Sequence, residues 1–253
     1  MTDALIEVQS LSRRFGGVSA IDDVSFAMQE GEIIGLIGPN GAGKTTLVNL
    51  ISGVHKPSRG RIVFRGETIT RERPMRIARR GISRTFQIVQ PFPEMTVWEN
   101  VAAGALFSGG AKTLANAKAQ AREQLEFVGL ERFADRPATV LSLANRKRLE
   151  LAKSLAMQPK LLMLDEVNAG LQSSEIDDAL ALIRKIAAKG ITILIIEHLM
   201  KVVISVSQRL LVLHHGRLIA NGSPAEVVRD RRVIEAYLGE KFATRLHALE
   251  QNA

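Results

Sequence analysis

Apolar residues fall into two regimes along this chain. Leu5 to Val8, Val24 to Met28, Ile33 to Ile37 and Arg61 to Phe64 are short apolar-rich runs, bounded by turn signals at Gly16-Gly17, Glu30-Gly31, Gly60 and Gly66. That pattern predicts short strands over the first ninety residues. From Thr96 to about Gln158 the spacing becomes helical. Thr96 with Glu99 three residues on reads as a capping box. Ala111 to Val128 is rich in alanine and glutamine without proline, a strong helix former. Gly129 ends it, and Pro137 marks a break. After Pro159, Leu161 to Leu164 and Ile191 to Ile196 are continuous apolar runs, as for strands covered on both faces. Between them Ser173 to Lys189 predicts a helix with apolar positions at 176, 180, 183 and 186–187, closed by Gly190. Strand, helix, strand at this spacing is a right-handed crossover in a parallel sheet. The expected class is therefore α/β with a mostly parallel core, interrupted near residues 90–158 by a helical insert.

The run Ile33 to Ile37 leads directly into Gly38, Pro39, Asn40, Gly41, Ala42, Gly43, Lys44, Thr45 and Thr46. A buried strand, a glycine-rich turn and a helix from Thr45 to Ser52 make the context of a phosphate-binding loop. Glycines let the backbone turn its N–H groups toward a polyphosphate, and a helix N-terminus adds partial positive charge. Lys44 can reach the β- and γ-phosphates, and the Thr45 hydroxyl can ligate Mg2+.

Leu161 to Leu164 ends in Asp165 and Glu166. Ligands of open parallel sheets bind at the carboxyl ends of strands. There Asp165 is the candidate magnesium carboxylate and Glu166 the candidate base that polarises the attacking water. Ile191 to Ile196 ends in Glu197-His198, so His198 falls at a strand end of the same kind. Standing alone it reads as a structural histidine; beside phosphates it can hydrogen-bond a γ-phosphate oxygen.

The 253 residues, 46% hydrophobic and 24% charged, suit an ordinary globular protein with a large core. No apolar run approaches the roughly 20 residues that span a bilayer. Met1 to Val8 lacks a basic region followed by an apolar stretch, so no signal peptide is expected. Absence of cysteine excludes disulfides and thiolate metal sites. Much of the net charge of +8 lies between Arg59 and Arg84, where nine arginines face only Glu67 and Glu72. That cluster fits a solvated face, a nucleic-acid patch or a surface toward anionic lipid or a membrane partner. Phe64 is its only ring, so base stacking is poorly supported and no nucleic-acid partner is expected.

Further motifs appear in order. Phe15, within Arg14-Phe15-Gly16-Gly17, stands 23 residues before Gly38; Arg84-Thr85-Phe86-Gln87 follows; then come Leu141-Ser142-Leu143-Ala144-Asn145, Ala169-Gly170-Leu171-Gln172, and His198. With the phosphate loop and Asp165-Glu166 they resemble, over nearly the whole chain, the ATP-binding subunits of ABC transporters. Pro-Glu-Met-Thr-Val-Trp-Glu-Asn from Pro93 and Val-Ile-Glu-Ala-Tyr-Leu-Gly-Glu from Val233 are most similar to the branched-chain amino-acid uptake ATPases; ATPases for urea and other small polar solutes are also similar.

The resemblance implies a P-loop ATPase cassette in one domain: residues 1–89 and 159–253 as core with an N-terminal antiparallel β part, and 90–158 as helical subdomain. It implies that Phe15 stacks on adenine, that Gln87 senses magnesium and links to the insert, and that Ser142 binds the ATP of a partner subunit. It implies a head-to-tail pair of ATPases, homo- or heterodimeric, under membrane-embedded permease subunits. A periplasmic or extracellular binding protein is then an indirect partner. The chain is expected at the cytoplasmic face of a bacterial inner membrane, peripheral, and soluble when expressed alone. Soluble assembly ATPases, such as those of iron–sulfur scaffolds, and exporter ATPases share these motifs. The chain departs from the family pattern at Leu143, Ala144 and Asn145, where two glycines and a glutamine are usual. It departs again at Val167, often proline, and at Gln172-Ser173, where an aspartate is common.

Overall fold

The computed structural model describes residues 4–86, 91–197 and 200–238. The chain divides into two compact units, Met1–Arg71 with Ile195–Ala253, and Glu72–Leu194. Each unit is α/β.

In the first unit, β1 (Ile6–Phe15), β2 (Val18–Met28), β4 (Arg59–Phe64) and β5 (Glu67–Thr68) form an antiparallel sheet in the order β2-β1-β4-β5. Leu5, Ile6, Val8, Leu11, Ile21, Val24, Ile62 and Phe64 are buried. Register shifts at Val8/Leu11 and beyond let β1 and β2 run longer than their apolar centres suggest. Such bulges add an unpaired residue and increase twist, which breaks strict alternation. In the same unit β3 (Ile33–Ile37) pairs in parallel with β9 (Arg209–His214), and β9 pairs antiparallel with β10 (Arg217–Gly222). All five residues of β3 are buried, as its uninterrupted apolar sequence requires. Helices α1 (Lys44–Ile51), α7 (Met200–Val206), α8 (Pro224–Val227) and α9 (Arg231–Leu238) complete the unit. Strand β8 (Thr192–Ile196) spans the division between the units.

In the second unit β6 (Ile82–Arg84) pairs in parallel with β7 (Leu161–Asp165). Helices α3 (Val97–Phe107), α4 (Leu114–Phe127) and α5 (Leu143–Ala156) pack on one another. Ala117, Ala121 and Leu125 recur every four residues on α4 and are fully buried, so that stripe faces its neighbours. Thr96 closes the capping box expected of it. Its hydroxyl accepts the Glu99 N–H at 3.3 Å, and Glu99 Oε2 accepts the Thr96 N–H at 2.7 Å. Gly129 follows α4 with a left-handed φ of 75°. Short 3-10 turns at Glu131–Phe133 and Ala138–Val140 bracket Pro137. Helix α6 (Ser173–Ala188) matches the amphipathic reading, burying Leu180, Ile183 and Ile186.

Two local readings change. Arg73 precedes α2 (Pro74–Arg79), a helix inside a stretch whose apolar residues are too sparse to show a period. Proline at its first position supplies the fixed φ that starts it. The arginine cluster is therefore spread over β4, α2, β6 and the turns between them. Arg80 is held bidentate by Glu72 at 2.7 Å, and Arg84 is paired with Asp165.

The capping box generates a test. Thr96→Ala should cost about 1 kcal/mol in a urea melt, the usual scale of a lost N-cap. The Glu99 carboxyl lies below its ordinary pKa of 4.5, first because the Thr96 N–H and then because its hydroxyl bonds the charged form. A depressed pKa gives stability that is full above the unfolded value and lost as pH falls through the folded one. The gap in thermal midpoint between wild type and Glu99→Gln should then close as the pH drops from 7 to below 4.5. A constant gap would show that the carboxylate charge contributes nothing.

Candidate functional site

The phosphate loop in the first unit is built by β3 and α1. After Ile37 the backbone turns through Gly38 (φ 150°), Gly41 (φ 78°) and Gly43 (φ 106°). The first and last have no room for a β-carbon: it would stand 2.2 Å from the Leu213 carbonyl oxygen at Gly38, and 2.5 Å from the Ala20 carbonyl oxygen at Gly43. The loop is tied in by its own backbone. Ala42 N–H donates to Pro39 O at 3.1 Å, Gly216 N–H donates to Ala42 O at 2.9 Å, and Asp22 N–H donates to Gly216 O at 2.9 Å. Lys44, only 8% exposed, folds back over it and donates to Gly38 O at 2.7 Å and Pro39 O at 3.1 Å. No side chain caps the N-terminus of α1, whose capping residue is Gly43. The first turn therefore presents backbone N–H groups and partial positive charge with no acid of its own in place. Asn40, Gly41 and Thr45 are exposed and Thr46 half-buried. A glycine-rich loop, an uncapped helix start and a lysine at its head suit a polyphosphate.

Phe15 ends β1 with 40% of its surface exposed. The His55 ring meets it edge-on at 5.2 Å, and the Arg13 guanidinium lies 4.5 Å from its centre. Arg13 is held in turn by the Lys56 carbonyl at 2.8 Å. Arg13 thus lies over one face of the ring, and the remaining exposed surface sets Phe15 apart from a core phenylalanine.

The acidic strand end lies in the second unit. All of β7 is buried, and Asp165 at its end is 5% exposed. Arg84 Nη2 donates to Asp165 Oδ2 at 2.6 Å, and the Asp165 N–H donates to Thr85 Oγ1 at 3.1 Å. Glu166, half-buried, follows with φ 48°. A non-glycine residue in that region costs on the order of 1–3 kcal/mol and persists only when its surroundings hold it. Here the Glu166 carbonyl accepts from Lys147 Nζ at 3.2 Å and from the Ala169 N–H at 3.2 Å, while Val167 and Asn168 are buried. Val167 stands where the family often has proline, and Lys147 and the buried Val167 side chain hold this turn.

Ser142 caps α5, its Oγ accepting the Asn145 N–H at 3.4 Å. The helix thus starts at Leu143. Leu143, Ala144 and Asn145 are absent from the positions with positive φ, so the lost glycines carry no backbone strain. Gly170 packs against Leu143: a β-carbon there would meet Leu143 Cδ2 at 3.1 Å. Gln87 and His198 lie outside the described residues.

The sequence pattern described as ABC transporter matches residues 21–169, and that described as branched-chain amino acid ATP-binding cassette transporter matches residues 217–243. The chain belongs to the ABC transporter family. This ABC ATPase is 43% identical over 256 residues to the high-affinity branched-chain amino acid transport ATP-binding protein LivG of Salmonella typhimurium, covering 95% of this chain and 100% of that protein. Its identity to the corresponding BraF of Pseudomonas aeruginosa is 39% over 255 residues, again 95% of this chain and 100% of that one. Among solved structures, a nucleotide-free ATP-binding cassette from an ABC transporter matches at TM-score 0.85 and 34% identity, covering 94% of this chain and 100% of that one. An ABC transporter cassette in its ADP conformation matches with the same values. The α/β ATPase cassette expected from the motifs is thus the fold of this ABC ATPase.

One feature of the cassette escaped motif reading. Tyr237 of α9, within the second matched segment, buries its hydroxyl, and burial pushes its pKa up while the Gly38 N–H works in the opposite direction. The sequence offered Tyr237 only as part of a C-terminal pattern, with no sign that it reaches the head of the phosphate loop.

Gly43→Ala should lower the thermal midpoint by the equivalent of about 1–3 kcal/mol, the scale of a strained φ, and more if the Ala20 contact does not relax. Gly41→Ala, where nothing stands within 4 Å of the added carbon, should cost less. Equal losses at both positions would show that Ala20 does not confine the loop.

Proposed function

We propose that this ABC ATPase hydrolyses ATP to energise uptake of branched-chain amino acids. The observation that carries the reading is the likeness to branched-chain amino acid transport ATP-binding proteins over their full length. Glycine-confined phosphate-loop geometry supports the nucleotide part of it.

On this reading residues 1–253 are one cassette, with 90–158 as its helical subdomain. The N–H groups from Gly38 to Thr46 and the Lys44 ammonium hold the β- and γ-phosphates. Lys44 now rests on two carbonyls and has only to change acceptor. Phe15 stacks on the adenine. Magnesium would be held by Thr45, Asp165 and Gln87, and would supply positive charge to offset that of the phosphates. The donor set fits: a hydroxyl exposed at a helix start and a carboxylate at a buried strand end are hard oxygen ligands. Glu166 orients and deprotonates the attacking water, and His198 stabilises charge developing on the γ-phosphate. Its left-handed φ gives Glu166 a direction that an extended strand end would not.

Ser142 and the first turn of α5 act on the ATP of a second subunit, of this chain or a related one. Ser142 is exposed, and the Ser142 hydroxyl and the helix N-terminus suit a γ-phosphate without the usual glycines. No helix among the described residues is long and apolar enough to cross a membrane. Membrane attachment therefore runs through permease subunits at the cytoplasmic face. In the second unit Phe86, Phe92, Met95, Leu106 and Phe107 are each at least 40% exposed, which supports an apolar contact there.

The mechanism is tested on purified protein. Lys44→Ala should abolish measurable ATP affinity. Glu166→Gln should keep binding and lose about 10²–10⁴-fold in turnover, the scale of a lost general base. Wild-type hydrolysis by Glu166→Gln would remove that residue from the chemistry. Phe15→Ala should weaken ATP binding by about 1–3 kcal/mol with the thermal midpoint kept, by the scale of base–aromatic stacking. The transport reading is tested in a strain lacking its own branched-chain amino-acid ATPase. Supplied with its permease, the chain should sediment with membranes and restore uptake of labelled leucine, dependent on Lys44. Sedimentation with anionic vesicles in the absence of permease would contradict attachment through protein.

A further inference from the structure

Asp165 poses a charge problem that its neighbours answer in a specific way. Its carboxylate is buried at the end of β7, where an unpaired charge is costly. The answer comes from the neighbouring strand. Arg84, last residue of β6, is in register with Met163, and its side chain reaches two residues further to place Nη2 2.6 Å from Asp165 Oδ2. Both side chains are at least nine-tenths buried. The next residue completes the clasp: Thr85 N–H donates to Met163 O at 2.9 Å while its Oγ1 accepts the Asp165 N–H at 3.1 Å. Phe86 then lays its ring 5.2 Å from the Arg84 guanidinium. The carboxylate read as the metal ligand is therefore already in charge contact with a cation, and that cation stands three residues before Gln87.

A divalent cation would take an oxygen of the same carboxylate. Magnesium binds carboxylate oxygen at about 2.0–2.1 Å and tolerates little distortion. With a guanidinium on Oδ2, two positive groups would share one carboxylate, and like charges that close disfavour each other.

We propose that Arg84 is a resident counter-ion of Asp165 that a divalent cation must displace, so that metal binding at β7 loosens the end of β6. This rests on the reading of Asp165 as the metal carboxylate. Two consequences follow from the geometry. The pair lowers the affinity of the nucleotide-free protein for free metal, so metal enters with its nucleotide. Release of Arg84 also leaves the end of β6 held at Asp165 by the Thr85 bonds alone, so Arg84 is a positioning residue rather than a catalytic one.

The probe is Mn2+, whose free form is followed by electron paramagnetic resonance in nucleotide-free protein. Arg84→Gln, which removes the competing charge, should bind Mn2+ at least tenfold more tightly than wild type; Arg84→Lys should fall between them. In the melt, Arg84→Gln should be less stable than wild type without metal and recover with Mn2+, because the metal replaces the lost charge. A purely structural arginine predicts the same deficit with and without Mn2+, and that result overturns the proposal. If Arg84→Gln does not fold, Arg84→Lys carries the test: unchanged Mn2+ affinity in it counts against displacement. Asp165→Asn separates the two readings. If it leaves the metal dependence of ATP binding unchanged, Asp165 is not the metal carboxylate. If it removes that dependence while Arg84→Gln binds Mn2+ as wild type does, the counter-ion proposal alone fails.

Discussion

Two positions in the phosphate loop cannot carry a side chain, and the architecture of the first unit depends on them. Gly38 and Gly43 lie against the carbonyls of Leu213 and Ala20. The end of β9 and the start of β2 therefore come as close to the loop as backbone can. Gly216, at the turn between β9 and β10, bonds both Ala42 and Asp22, and Arg217 next to it pairs with Asp22 at 2.6 Å. One loop thus joins the antiparallel sheet to the parallel strands. Lys44 adds a cation held in waiting by two carbonyls of the same loop. A polyphosphate would find its donors already directed, with little left to order on binding.

The second unit solves a different problem, that of holding charge and strain at a buried strand end. Arg84 neutralises Asp165, Thr85 takes its N–H, and Lys147 anchors the carbonyl of a left-handed Glu166. Lys147 comes from α5, the helix that Ser142 caps, and Leu143 on the first turn packs against Gly170 beyond Glu166. Helix α5 and the acidic strand end are therefore mechanically continuous. Lys147 links α5 to the Glu166 backbone, and Leu143, where the family usually has a glycine, has a packing role against Gly170 beside the ligand-facing role proposed for Ser142.

The strands and helices with strong period were legible in the sequence. The five consecutive apolar residues of β3 match the observed strand, and the capping box at Thr96 is present atom for atom. The glycine-rich loop was legible too, because only a strand, a turn and a helix start accommodate that order of residues. Three things were not legible. Strand β1 continues past Val8 through bulges whose polar residues break the alternation. Helix α2 is six residues long, too short for a period to emerge. The ion pair of Arg84 joins residues 81 positions apart, and it shows only once β6 and β7 are in register. The same holds for Tyr237, whose approach to Gly38 depends on where α9 folds back.

The central claim is that the backbone from Gly38 to Thr46 is the phosphate receptor. Amide resonances of isotope-labelled protein titrated with ATP and magnesium test it most directly. The account predicts that the N–H protons of Gly41, Gly43, Lys44, Thr45 and Thr46 move strongly downfield as they take hydrogen bonds to phosphate oxygens, while those of the α4 interior stay in place. Saturable ATP binding that leaves the 38–46 amides unmoved would contradict it.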